Sequence, residues 1–169
     1  YSKDLPDSAQ LRNYEPPVMS RVHAGDGSLI AEFARERRLY LPIQAVPKLV
    51  VDAFLAAEDK NFYKHIGVDP EGLARAAISN FRNRGSGRRP QGASTITQQV
   101  AKNFLVGSEQ SLERKIREAL IALRIESTYS KDKILELYLN EIYLGAPAPG
   151  QGSYGVAAAA LNYFGKSVH

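Results

Sequence analysis

Two adjacent acids, Glu58 and Asp59, close the apolar run Leu49-Val50-Val51-Asp52-Ala53-Phe54-Leu55-Ala56-Ala57, and Phe62, His65 and Gly67 follow within nine residues of Glu58. A carboxylate placed where an apolar stripe ends is partly desolvated, which disfavours its charged form and raises its pKa toward the range of a general acid or base. Glu58 is the candidate for that proton transfer. A Glu-Asp pair at a helix end is ordinarily solvated, so the assignment depends on what the rest of the chain places beside it.

Three further groups could carry chemistry. Gly92-Ala93-Ser94-Thr95-Ile96-Thr97-Gln98-Gln99 gathers hydroxyls and amides at a helix start, where the free N–H groups are either capped by those side chains or receive an anion. Lys102 and Asn103 follow on the same helix and could extend an anion site along its face. Arg114, Lys115 and Glu118 stand three and four residues apart, so both cations can reach the carboxylate. That group is either surface ion pairing or a set of cations able to bind phosphate. His65 is a lone imidazole, expected to be structurally satisfied, and nothing in the chain has zinc spacing. Arg82, Arg84, Arg88 and Arg89 form a basic cluster. It has no aromatic interleaving beyond Phe81 and no helix-turn-helix or RNA-binding signature, so acidic lipid or diphosphate suits it better than nucleic acid.

The elements that must position these residues are mostly helical. Residues 46–57 are expected as a helix with Pro47 in its first turn and positions 49, 50, 53, 54 and 57 facing inward. Strand signals are confined to 18–43: a hairpin or meander around Gly25-Asp26-Gly27, with a last run at 38–43. Asp69-Pro70 starts a helix carrying apolar residues 73, 76, 77 and 81, and an Arg/Gly loop over 82–92 ends it. Thr95 and Gln98 fit a capping box for a helix running through Phe104. Ser111 to about Glu126 is helical with 112, 116, 120 and 123 inward, and about 131–144 with 134, 135, 138, 139 and 142 inward, Gly145 terminating it. The last helix spans 154–164, stopped by Gly165.

At 169 residues, 44% hydrophobic and 24% charged, the chain is one domain's worth of globular sequence. A net charge of +4 and a pI near 9.3 favour an anionic partner. The absence of cysteine excludes disulfides and thiolate metal sites. No run approaches the roughly 20 apolar residues of a membrane span, and residues 1–17 lack a signal-peptide core. The abrupt start at Tyr1 and close at Lys166-Ser167-Val168-His169 are those expected of a piece of a longer chain.

In order and spacing these blocks resemble the peptidoglycan glycosyltransferases, glycosyltransferase family 51, of class A penicillin-binding proteins and monofunctional transglycosylases. Glu58-Asp59-x-x-Phe62-x-x-His65-x-Gly67 is similar to the family's first motif and Gly92-x-Ser94-Thr95-Ile96-Thr97-Gln98-Gln99 to its second. Arg114-Lys115-x-x-Glu118 is similar to the third, and Lys133-Ile134-Leu135-Glu136-x-Tyr138-Leu139-Asn140 to the fourth. The resemblance covers nearly the whole chain.

It implies a mainly α fold, with a lysozyme-like head, a small membrane-facing jaw with its loop at about 72–93, and a short N-terminal β-hairpin. Residues 1–43 would be linker and hairpin, and 44–169 a glycosyltransferase domain lacking the family's C-terminal helices. The implied reaction is polymerisation of lipid II into glycan strands with inversion. Glu58 would be the base for the acceptor 4-hydroxyl and Glu118 its helper near the donor diphosphate. Lys102, Arg114, Lys115 and Arg124 would neutralise that diphosphate, with Ser94, Thr95, Gln98, Gln99 and Asn103 contacting phosphate or sugar. Asp59, Phe62, His65 and Tyr138 would shape the cleft. A divalent cation, Mg²⁺ or Mn²⁺, would bind through substrate phosphate rather than through protein side chains alone. The implied partners are lipid II, the growing glycan and the membrane surface, with no nucleic acid, and a transpeptidase domain in the parent chain. The implied location is the periplasmic face of the bacterial cytoplasmic membrane, anchored by a transmembrane helix outside this sequence. A lysozyme-like hydrolase and a non-catalytic module binding anionic lipid are the competing readings. The first needs a second carboxylate, for which Glu118 is the candidate.

Overall fold

The computed structural model describes residues 8–12, 14, 20–23, 25, 29–33, 39–84, 92–105, 111–147 and 152–168. Seven α-helices occur among them: α1 (Ser8–Arg12), α2 (Lys48–Glu58), α3 (Pro70–Arg82), α4 (Ile96–Ala101), α5 (Leu112–Thr128), α6 (Lys131–Glu141) and α7 (Val156–Phe164). Two strands, β1 (Ser20–His23) and β2 (Leu29–Phe33), pair antiparallel with Ser20 opposite Phe33 and an irregularity at Val22/His23. The domain is therefore mainly α. Most of the Gly-Asp-Gly turn and of the Arg/Gly loop, residues 26–28 and 85–91, lies outside the described residues.

The fold is organised around α6. Every residue from Ile134 to Glu141 is buried, the pattern of a helix packed on all sides rather than along one stripe. Helix α4 packs against both α5 and α6, and α1 lies on α5. Leu11, Phe62, Ile96, Val100, Ile121, Ile125, Ile134, Leu137 and Leu139 fill the space between them. Each such side chain contributes on the order of 1.5–3 kcal/mol by leaving water, so this centre carries most of the hydrophobic stabilisation.

Two inward faces differ from the sequence expectation. In α2 the residues turned to the core are Val50, Val51, Phe54 and Leu55, while Leu49 is 81% exposed and none of the helix is fully buried. In α5 the expected stripe Leu112, Ile116, Leu120 and Leu123 is exposed, and Glu118, Ile121, Ala122 and Ile125 face inward. Helix α5 is apolar on two sides, so its period alone does not select the buried one. The charged Glu118 hides the correct stripe.

Residues 39–42, expected as a strand, have no strand partner. Side chains of α6 take that place: Asn140 Oδ1 accepts from Leu41 N (2.7 Å), Asn140 Nδ2 donates to Leu41 O (2.7 Å), and Glu136 Oε2 accepts from Ile43 N (2.9 Å). Lys133 and Tyr40 donate to the same Glu136 carboxylate. The helix starts follow the sequence: Asp69 precedes Pro70, Ser111 and Ser130 cap α5 and α6, and Thr95 with Gln98 closes a reciprocal capping box. Helix α4 stops at Ala101 and continues as a 3₁₀ turn over Lys102–Phe104. Helix α6 ends at Glu141, short of Gly145, because Gly155 lies against its last turn and donates its N–H to Ile142 O (2.8 Å).

Gly155 has φ +82°, and a Cβ there would meet Asn140 O at 2.6 Å; Gly165 has φ +64° with nothing within 4 Å. Gly165→Ala is expected to cost only the left-handed backbone penalty of about 1–2 kcal/mol, and Gly155→Ala distinctly more, as read by denaturant midpoints. Glu136 offers a second check. Desolvation opposes its ionisation, but hydrogen bonds from Lys133, Tyr40 and the Ile43 amide outweigh this and hold its pKa below the usual carboxylate value. Its contribution is complete above the unfolded pKa of about 4.3 and is lost as pH falls through the depressed folded value. Glu136→Gln should flatten that part of the acid limb in urea unfolding measured between about pH 6 and 3.

Candidate active site

A cleft of about 220 Å³ opens where α2 ends, bounded by Glu58, Asp59 and Lys60, by Asp69, Gly72 and Arg75 of α3, and by Gly92–Thr95 ahead of α4. The two neighbouring acids take opposite roles. Glu58 is exposed and its Oε2 accepts from Gln99 Nε2 at 3.0 Å. The desolvation that the sequence suggests for Glu58 belongs instead to Asp59, which is 6% exposed. The cause is geometric: Asp59 leaves the helical conformation (φ −158°), so consecutive side chains part, one to the cleft and one to the interior.

Asp59 Oδ2 accepts from His65 Nε2 (2.8 Å) and from Ile96 N (2.9 Å), the first amide of α4. His65 Nδ1 accepts from Gly67 N at 3.0 Å. That nitrogen therefore carries no proton, and Nε2 bears the hydrogen given to Asp59. His65 is structural, as its isolation in the sequence suggested. Thr95 Oγ1 donates to Gly67 O (2.6 Å), and Gly67, at φ +106°, lies so close to α5 that a Cβ would be 2.9 Å from Ala122 O. Lys131 Nζ donates to His65 O and to Glu126 Oε1, both at 2.7 Å, and sits 4.6 Å from the centre of the buried Phe62 ring. Glu126 Oε1 also accepts from Thr97 Oγ1 (2.7 Å).

The start of α4 is consequently not an open anion cradle. Ile96 N is taken by Asp59, Thr95 N by Gln98 Oε1 and Gln98 N by Thr95 Oγ1. Thr95 and Gln98 cap the helix, Gln99 donates to Glu58, and Ser94 lies in the cleft wall. Lys115 Nζ donates to Ser94 Oγ (3.2 Å) and to Glu118 Oε1 (3.0 Å). Glu118 is 1% exposed; Lys115 makes an ion pair with it, and the lysine side chain is 55% exposed.

Of the other residues singled out, Tyr138 lies buried under α2 with its ring edge-on to Phe54 (centroids 5.9 Å apart). Asn103 donates to Glu141 of α6. Of the predicted site residues only Glu58, Asp59, Ser94 and Thr95 are in the wall of the cleft; Phe62, His65, Gln98, Gln99, Lys102, Asn103, Arg114, Lys115, Glu118, Arg124 and Tyr138 are not. Lys60, Asp69 and Arg75 are, and the sequence reading missed them. Asp69 was visible only as a helix cap, and Arg75 only as its neighbour on α3. Desolvation opposes ionisation of Asp69, but the Gly72 backbone and the Asn61 amide outweigh it and hold its pKa below the usual value.

Comparison with known proteins agrees with this architecture. A family profile described as Transglycosylase matches residues 26–169, and the chain belongs to that family. Penicillin-binding protein 1A of Rickettsia conorii (strain ATCC VR-613 / Malish 7) is 54% identical over 168 residues, 99% of this chain and 21% of that protein. The corresponding values are 50% over 166 residues for penicillin-binding protein 1A of Aquifex aeolicus (strain VF5), covering 98% and 22%, and 48% over 165 residues for that of Escherichia coli (strain K12), covering 97% and 18%. The chain is a peptidoglycan glycosyltransferase domain of the class A penicillin-binding type, spanning about a fifth of the length of the curated relatives it matches.

Replacing Asp59 by Ala strands two buried donors and is expected to cost about 2–5 kcal/mol. Asp59→Asn, which keeps an acceptor oxygen, should cost less. Asp52→Ala removes only the exposed pair with Lys48 and should stay within about 1 kcal/mol. Guanidinium unfolding of the three variants orders them.

Proposed function

We propose that this domain polymerises lipid II, and the observation that carries the reading is the exposed Glu58 carboxylate at the cleft, oriented by Gln99 and backed by the buried Asp59–His65 pair. Glu58 takes the proton of the acceptor sugar's 4-hydroxyl. The acceptor oxygen forms its bond to the donor's anomeric carbon from the face opposite the leaving group, and the electron pair of the breaking C–O bond departs with the undecaprenyl diphosphate. The configuration inverts. Lys115, half exposed and bonded to Ser94 of the cleft wall and to Glu118, is the cation assigned to meet the negative charge that develops on the diphosphate, with Lys60 and Arg75 in the wall itself. Glu118 is not free to direct a water, which favours transfer over hydrolysis.

Among the described residues no group of three or more His, Cys, Asp or Glu side chains is placed to hold a metal. The divalent cation of this reading, Mg²⁺ or Mn²⁺, would bind on the substrate's diphosphate oxygens and offset their charge. Residues 44–169 then form the body of the glycosyltransferase unit, with the segment before it packed on that body through Leu11 of α1 and residues 41–43. Helix α3, with exposed Leu73, Ile78 and Phe81 beside Arg75 and Arg82, suits a jaw that rests on the periplasmic face of the cytoplasmic membrane. None of the described helices is long and apolar enough to cross a membrane. A transpeptidase domain in the parent chain completes the proposal.

Glu58→Gln should lower polymerisation of lipid II by about 10²–10⁴-fold in the full-length protein without lowering its thermal midpoint. Finished glycan strands incubated with the unaltered protein should release no muropeptides. Their release would replace transferase by hydrolase.

A further inference from the structure

The hydroxyl of Tyr138 is buried and has no hydrogen-bond partner among the described residues, on a side chain whose residue is only 2% exposed. A buried donor without an acceptor costs stability, and phenylalanine would fill the same space without it. The ring's surroundings are those of the active site: it meets Phe54 edge-on, one turn before Glu58 on α2. Burial raises the phenol's pKa, and the charges of Glu58 and Asp59 raise it further. Its oxygen therefore stays protonated, able to donate a hydrogen bond but not to act as a base. The acceptors nearby are unequal. Asp59 is fixed by two hydrogen bonds on Oδ2, whereas among the described residues Glu58 is held by Gln99, through Oε2.

We infer that Tyr138 is a positioning residue for Glu58: its ring packs on Phe54, one turn before Glu58, and its hydroxyl is a donor for the Glu58 carboxylate to engage when substrate occupies the cleft. The inference rests on the reading of Glu58 as the base. In that arrangement Gln99 from α4 and Tyr138 from α6 restrict the carboxylate from two sides and leave an oxygen directed at the acceptor hydroxyl. The contribution of that hydroxyl comes during turnover and not in the stability of the free domain.

The test is Tyr138→Phe in the full-length protein, assayed for lipid II polymerisation kinetics and thermal unfolding beside Glu58→Gln. The expected result separates the two readouts. The unfolding midpoint stays unchanged or rises, KM stays within about twofold, and kcat falls by about 10- to 100-fold, the scale of a misdirected reacting group. An unchanged kcat overturns the inference. So does a loss of kcat accompanied by a lowered midpoint, which would make Tyr138 structural. If Glu58→Gln polymerises at the normal rate, the base assignment itself fails, an outcome distinct from an unchanged Tyr138→Phe.

Discussion

The Asp59 carboxylate, buried and accepting from both His65 and the first amide of α4, joins three segments that have little else in common. It sits where α2 ends, receives the turn that carries His65 and Gly67, and occupies the N-terminus of α4, where the helix dipole favours a negative charge. Helix α2 has no fully buried residue of its own, so hydrophobic packing alone fixes the place of Glu58 weakly. The buried carboxylate one residue later anchors it. A charge in that position is tolerated because two donors meet its Oδ2, and the Gly67–Thr95 and Lys131–His65 contacts hold those donors in turn.

A similar economy governs α6. A helix buried on all sides has no solvated face on which to leave Glu136, Asn140 and Glu141, yet these side chains are matched. Asn140 and Glu136 bind the backbone of residues 41–43 as a neighbouring strand would, and Glu141 accepts from Tyr14 (2.5 Å) and from Asn103. The fourth motif thus serves largely as scaffold, its polar residues tying the chain before α2 to the centre of the domain. Tyr138 of the same motif packs its ring against Phe54 of α2.

Much of this was legible along the chain because it depends on local chemistry. Helix starts at Asp69-Pro70, Thr95, Ser111 and Ser130 and the stop at Gly165 follow from capping and from φ preferences, which neighbours in sequence settle. The motif residues were equally visible as types. Their division of labour was not: Thr95 and Gln98 went to capping, His65 to support, and Asn103 to Glu141, because each choice depends on which acceptor or donor the packed chain brings within about 3 Å.

The sequence by itself determined that the domain is mainly helical, where its helices begin, and that two adjacent acids stand at the end of one of them beside blocks of hydroxyls, amides and cations. Tertiary structure decided which acid is buried, which side of α5 faces the core, and that Lys60, Asp69 and Arg75 share the cleft with Glu58. Periodicity reports that a helix has an apolar face but not which of two such faces meets a neighbour. Adjacent side chains at a helix end diverge by a backbone rotation that only packing fixes. For Glu58 and Asp59 that rotation, at φ −158°, separates the exposed candidate base from the buried anchor that holds it in place.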